Sequence, residues 1–136
     1  MKETYTFTVN GVERTTTEDK PLLRYLRDDL HLHSVKDGCS EGACGTCTII
    51  VDGRAVKSCV LTTKRAVGKN IVTTEGLSDR EKEAFVYAFG SKGAVQCGFC
   101  IPGMVMAGKA LIDHVPDPTE EEIKVEIGRA SCRERV

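Results

Sequence analysis

The chain is short of several things, and each shortage removes a class of function. Four phenylalanines and three tyrosines are its only aromatic residues, and nineteen Lys and Arg against twenty Asp and Glu leave a formal charge of −1. Without a basic stripe or interleaved stacking rings, nucleic-acid binding has no support. No stretch approaches the roughly eighteen consecutive apolar residues of a membrane span. The amino terminus, Met1-Lys2-Glu3-Thr4, lacks the apolar core of a signal peptide. A cytoplasmic protein with neither nucleic acid nor membrane as partner is the expectation. Also missing are a Gly-rich nucleotide loop, a catalytic constellation of His and carboxylates, internal repeats and low-complexity segments. Such a chain is not expected to catalyse a reaction alone.

Cysteine, by contrast, is plentiful: there are seven. An odd, high count in an intracellular chain argues for metal or redox chemistry, because the cytosol keeps thiols reduced. Cys39, Cys44 and Cys47 form a C-x4-C-x2-C run, with Cys59 after eleven intervening residues. That is the ligand spacing of a plant-type 2Fe-2S cluster. Gly38, Gly42 and Gly45 lace the run, as a loop wrapped closely round an inorganic core requires. A zinc site is the rival, but its ligands usually pair as two C-x2-C-like knuckles. A Rieske centre would need two histidines inside the run. His31, His33 and His114 lie outside it and are expected to face solvent.

Around this loop the pattern is β-rich. Thr4 to Val9 alternates, Asn10-Gly11 intervenes, and Val12 to Thr16 resumes, which predicts a hairpin. Pro21 opens a stretch with Leu22, Leu26 and Leu30 four apart, a short amphipathic helix, and His31 to Asp37 reads as loop. Thr48 to Val51, Asp52-Gly53 and Ala55 to Val60 predict a second hairpin with Cys59 inside its return strand, and Asn70 to Glu75 a last strand. Lys57, Lys64, Arg65 and Lys69 read as a solvated face.

Near Gly76 the composition turns helical. Ser78 with Glu81, and Thr119 with Glu122, are capping boxes. Ala84, Phe85, Ala88 and Phe89 share one face of the first of these helices. Pro102 opens another, on which Gly103, Ala107 and Gly108 allow a close helix neighbour and Met104 and Met106 serve packing. Cys97 and Cys100 form a C-x2-C just before that helix, where free N–H groups and the helix dipole favour thiolates. Alone, such a pair fits half a zinc site or a redox dithiol equally well. Cys132 is the one further cysteine, so at most three thiolates can meet there.

The glycine-laced first run, the second motif from Gly93 to Met106, and a β-rich half followed by a helical half together resemble the iron–sulfur subunit or domain of the molybdenum hydroxylases, the xanthine dehydrogenase and aldehyde oxidase family. The resemblance spans about Tyr5 to Lys124 and implies an α+β protein. A ferredoxin-like β-grasp domain (1–76) would hold one 2Fe-2S cluster through Cys39, Cys44, Cys47 and Cys59. A small helical domain of four-helix type (77–125), cut short here, would hold a second through Cys97, Cys100 and a C-x-C-Thr-Gly-Tyr segment. This chain departs from that segment: Cys132-Arg133-Glu134 puts glutamate at the fourth ligand position. The stretch 126–136 has lost helical periodicity and reads as a non-native tail on a chain whose natural form continues past Val125.

In relatives, the position of Gln96 lies near a molybdopterin on the partner. The implied function is electron transfer, one electron at a time, from a molybdopterin-binding large subunit or domain toward a flavin (FAD) subunit, with xanthine-type chemistry first among purines, other N-heterocycles and aldehydes. The alternatives are a free-standing 2Fe-2S ferredoxin and a zinc-stabilised interaction module.

Overall fold

A computed structural model describes residues 3–38, 45–93 and 99–128. Its first half is a five-stranded sheet: β1 (Tyr5–Val9), β2 (Val12–Thr16), β3 (Thr48–Val51), β4 (Arg54–Lys57) and β5 (Asn70–Val72), in the order β2-β1-β5-β3-β4. Both hairpins form as their turn residues dictate. Asn10 and Gly11, and Asp52 and Gly53, all take positive φ, which tight two-residue connections between right-twisted strands need. β5 joins the hairpins, parallel to β1 (Val9↔Ile71) and antiparallel to β3 (Val51↔Ile71). β2 is a charged, solvent-facing edge, a composition that discourages further strand pairing.

All four residues of β3 are buried, because both faces of the sheet are covered there. Ile49 and Val51 point into one core with Phe7, Val9, Leu22, Leu26 and Ile71. Ile50 points the other way, into a second core with Leu77, Val105, Met106 and Ala110. The first core is roofed by α1 (Leu22–Arg24), which runs directly into a π-helical segment (Tyr25–Asp29). Leu22 and Leu26 are fully buried, but the wider π turn leaves Leu30 only half-buried.

Three helices make the second half: α2 (Asp79–Ser91), α3 (Ile101–His114) and α4 (Glu120–Gly128). Both capping boxes are present, Ser78 with Glu81 and Thr119 with Glu122. α3 is the central element. Gly103, Met104, Val105, Met106, Ala107 and Ala110 are buried on it, between the sheet and α2. Lys109 bridges to Glu81 of α2 at 2.5 Å and to Asp113 at 3.0 Å. Of the α2 face, Phe85 and Phe89 are half-buried against α3, whereas Ala84 and Ala88 are exposed.

Three local expectations are corrected. β4 ends at Lys57, so Cys59 stands in the turn that follows; Val60 N–H bonds the Lys57 carbonyl at 3.3 Å and curls the chain out of the sheet. β5 stops at Val72, because Thr74–Gly76 winds into a 3-10 turn closed by Gly76 N–H on Thr73 O. The backbone of α4 continues to Gly128, past the point where periodicity fades, since no breaker occurs before that glycine.

Candidate iron–sulfur centre

Of the predicted ligands, Cys47, Cys59 and Cys100 fall within the described residues. Cys39, Cys44, Cys97, Cys132 and the neighbouring Gln96 lie outside them. Cys47 and Cys59 are brought together by strand register. Thr48 pairs with Lys57, which sets Cys47 opposite Ser58 at the open end of the β3–β4 hairpin, remote from its Asp52-Gly53 turn. Ser58, fully buried, seals that end: its hydroxyl donates to the Cys47 carbonyl at 2.8 Å and its amide to the same oxygen at 3.3 Å. Cys47 is buried and Cys59, next to Ser58, is half-buried.

The turn bearing Cys59 is also gripped from the helix side. Leu22 N–H donates to the Leu61 carbonyl at 2.7 Å and Leu23 N–H to the Ser58 carbonyl at 3.1 Å. These are donors that the first turn of α1 cannot satisfy internally. They clamp the carbonyls on either side of Cys59 and Val60, and no spacing in the sequence announces it.

The two stems of the first cysteine run are tied to each other. Lys36 N–H donates to the Thr46 carbonyl at 3.4 Å, and the Thr46 hydroxyl donates to the Lys36 carbonyl at 3.2 Å. Before it, Arg27 donates to the carbonyls of His33 (3.1 Å) and Val35 (2.8 Å), and Arg24 pairs with Asp37 at 3.1 Å. Within it, between Cys44 and Cys47, Gly45 takes a positive φ of 73°, and its carbonyl accepts from Thr48 N–H at 3.1 Å and the Thr48 hydroxyl at 2.6 Å. Ser34 is moored to the carboxylate of Glu75 by its amide at 3.1 Å and by its hydroxyl. Desolvation acts to raise the Glu75 carboxyl, but hydrogen bonds from Ser34, its own backbone and Thr73 outweigh that and hold it below the usual carboxylate range. The stems from which Cys39 and Cys44 depart are therefore anchored to α1, the π-helical segment, β3 and the 3-10 turn that follows β5.

Cys100 is the N-cap of α3 and is buried with Met104 and Ala107, beside Phe89. Its helix presses on the first run. A Cβ added to Gly103 would stand 2.8 Å from the Gly45 carbonyl oxygen and 3.1 Å from that of Thr46. The expected helix neighbour belongs instead to Gly108, whose added Cβ would meet Phe85 of α2 at an ordinary 3.7 Å.

The donor set is sulfur, soft ligands that suit iron–sulfur clusters or zinc, carried on backbone pinned from several sides. His31, His33 and His114 are exposed, and His114 Nε2 lies 2.7 Å from the Gly53 carbonyl. Met104 and Met106 are buried packing residues. Lys64 and Arg65 are exposed, Lys57 and Lys69 half-buried, with Lys69 3.7 Å from Asp52. A groove of about 690 Å³ between β4, α3 and α4, lined by Arg54, Leu111, His114 and Glu122, opens at the C-terminal end of α3, opposite Cys100. It contains no described cysteine. No helix among the described residues is long and apolar enough to cross a membrane.

Residues 7–74 match the family described as 2Fe-2S iron-sulfur cluster binding domain, and residues 73–135 that described as 2Fe-2S binding domain. A nicotinate dehydrogenase subunit of Pseudomonas putida is 45% identical over 98% of this chain and 87% of its own length. The nicotinate dehydrogenase small FeS subunit of Eubacterium barkeri is 44% identical over 97% of this chain and 86% of its own. The crystal structure of quinoline 2-oxidoreductase from Pseudomonas putida 86 superposes with a TM-score of 0.86 at 34% identity, over 96% of this chain and 83% of that one.

Proposed function

The chain belongs to the iron–sulfur subunit family of the molybdenum hydroxylases, and from that premise we propose that Cys39, Cys44, Cys47 and Cys59 hold one 2Fe-2S cluster while Cys97 and Cys100 belong to a second. The observation that supports the assignment best is the register of the β3–β4 hairpin with the Ser58–Cys47 hydrogen bonds, which brings Cys47 and the turn of Cys59 to one end of one hairpin. A bound cluster supplies one-electron steps without bond making. The protein's own part is to fix the sulfurs, point backbone N–H groups at them and limit water, which together tune the potential.

Within the assembly this chain is the electron carrier. Electrons originate at a molybdopterin centre in a large partner subunit and continue toward an FAD subunit, and Gln96 lies on the molybdopterin side. The β-rich half (1–76) is a β-grasp unit and the helical half (77–125) is of four-helix type. Cys132 and Glu134 fall in the stretch 126–136 that reads as non-native, so neither is assigned to the second cluster. The complex is cytoplasmic and acts on an N-heteroaromatic ring. Nicotinate stands ahead of xanthine, because relatives bearing that name combine 45% and 44% identity with alignment along nearly the whole chain, whereas xanthine dehydrogenase subunits reach 36% over 97% of it or 44% over 77%.

Anaerobically prepared protein, assayed for iron and acid-labile sulfide and examined by EPR after dithionite reduction, tests the reading. Cys47→Ser or Cys59→Ser is expected to remove the first cluster's signal, and Cys100→Ser to leave it. An iron-free, EPR-silent wild-type chain would falsify the assignment, and a colourless protein rich in zinc would replace it with a structural zinc module.

A further inference from the structure

Gly103 joins the two cysteine motifs. It lies three residues after Cys100 on α3, buried, with room for no Cβ: the added carbon would come 2.8 Å from the Gly45 carbonyl oxygen, 3.1 Å from the Thr46 carbonyl oxygen and 3.2 Å from Thr46 Cα. The atoms opposing it are backbone, and they belong to the dipeptide that links Cys44 to Cys47. A flexible side chain could swing away from such an intruder. This backbone can yield only by straining its hydrogen bonds, because the Gly45 carbonyl is held by both the amide and the hydroxyl of buried Thr48, and Thr46 is tied in both directions to Lys36. The helix is no freer to retreat, since Val105, Met106 and Ala110 are packed with Ile50 and Leu77. Two rigid bodies thus meet at a hydrogen atom.

We propose that Gly103 is a positioning residue for the first cluster: by seating α3 against Gly45-Thr46 it sets the course of the chain between two of that cluster's ligands, so that the helical half tunes the redox behaviour of a cluster whose ligands all lie in the β-rich half. The inference rests on the proposed ligand set Cys39, Cys44, Cys47 and Cys59. Its physical content is that an extra methyl pushes the Gly45-Thr46 peptide and spoils the aim of backbone N–H groups at the sulfurs. Those hydrogen bonds stabilise the extra negative charge of the reduced state. No bond is made or broken; what changes is how readily the cluster takes one electron.

The test compares the full-length Gly103→Ala protein with wild type and with Gly108→Ala, a change on the same helix that meets only an ordinary contact at 3.7 Å. Gly103→Ala is expected to keep the wild-type content of iron in the first cluster but to shift its reduced EPR spectrum and lower its midpoint potential, while Gly108→Ala matches wild type in both. Thr48→Val provides a second route, because it frees the Gly45 carbonyl from its hydroxyl donor without adding bulk. It is expected to move spectrum and potential in the same sense. An unchanged or raised potential in Gly103→Ala overturns the inference, and so does loss of the cluster, which would make Gly103 a folding residue. Should that variant not fold, an unaltered Thr48→Val overturns it equally. A wild-type chain without iron sinks the ligand assignment and the inference together; a loaded wild type with an indistinguishable Gly103→Ala twin sinks the inference alone.

Discussion

At the scale of the residue, the cysteines depend on neighbours that carry no cluster chemistry themselves. Ser58 is one: its side chain is buried, and the Cys47 carbonyl it serves lies at the mouth of the hairpin. Ser58→Ala removes the hydroxyl donor and leaves only the longer amide contact, at an expected cost of about 1 kcal/mol, measured by urea unfolding of the wild type and variant. It should also quicken iron release to a chelator, since Cys47 and the Cys59 turn share that serine. A variant as stable and as slow to release iron as wild type would mean that the amide alone closes the hairpin. Nothing in the sequence marks Ser58 except its place before a cysteine. The cysteine motifs could be picked out because spacing is a property of the chain, whereas Ser58 acts on a residue eleven positions away and needed the strand register to be seen.

At the scale of the element, local rules placed most boundaries correctly. The two turn dipeptides, the two capping boxes and Pro102 near the start of α3 all act within a few residues, and the structure has each where it was expected. Ser78→Ala should cost about 1 kcal/mol by opening the capping box of α2, seen as a lower denaturation midpoint. Met106→Ala should cost more, about 2–5 kcal/mol, because Met106 is only 1% exposed in the core between α3 and the sheet. If the two costs proved equal, the packing of α3 on β3 would be looser than its burial implies. Where local reading failed, a tertiary contact was the cause. Cys59 leaves the strand because α1 takes the carbonyl of Ser58, and β5 is cut short by the turn that delivers Leu77 to the second core.

At the scale of the whole molecule, cluster binding, the two cores and a few charges are coupled. Iron removal should lower the melting temperature, since a group bound only by the folded chain adds its binding free energy to stability; an iron-free form melting with the loaded one would mean that the cores alone hold the sheet together. Acid should weaken the same structure. Glu75, bonded by Ser34 and Thr73, and Glu81, beside Lys109 and the Ser78 amide, both have carboxyls held below their ordinary range. A carboxylate whose folded value is depressed stabilises fully above the unfolded value of about 4.3 and loses that contribution as pH falls through the folded one. Thermal melts across that window should show wild type converging on Glu75→Gln as the pH drops, and a constant gap between them would remove Glu75 from the account.

Ligand spacing, hairpin turns, helix caps and the change from strand to helix near Gly76 were determined by the sequence alone, since each depends on residues a few positions apart and on geometry the backbone imposes locally. The tertiary structure decided that Cys47 and the turn of Cys59 share the mouth of the β3–β4 hairpin, how α1 holds that turn, and that α3 meets Gly45-Thr46 at Gly103. Those outcomes join residues far apart in the chain. They follow from burying two faces of one sheet at once, and no local pattern encodes which surfaces that burial brings into contact.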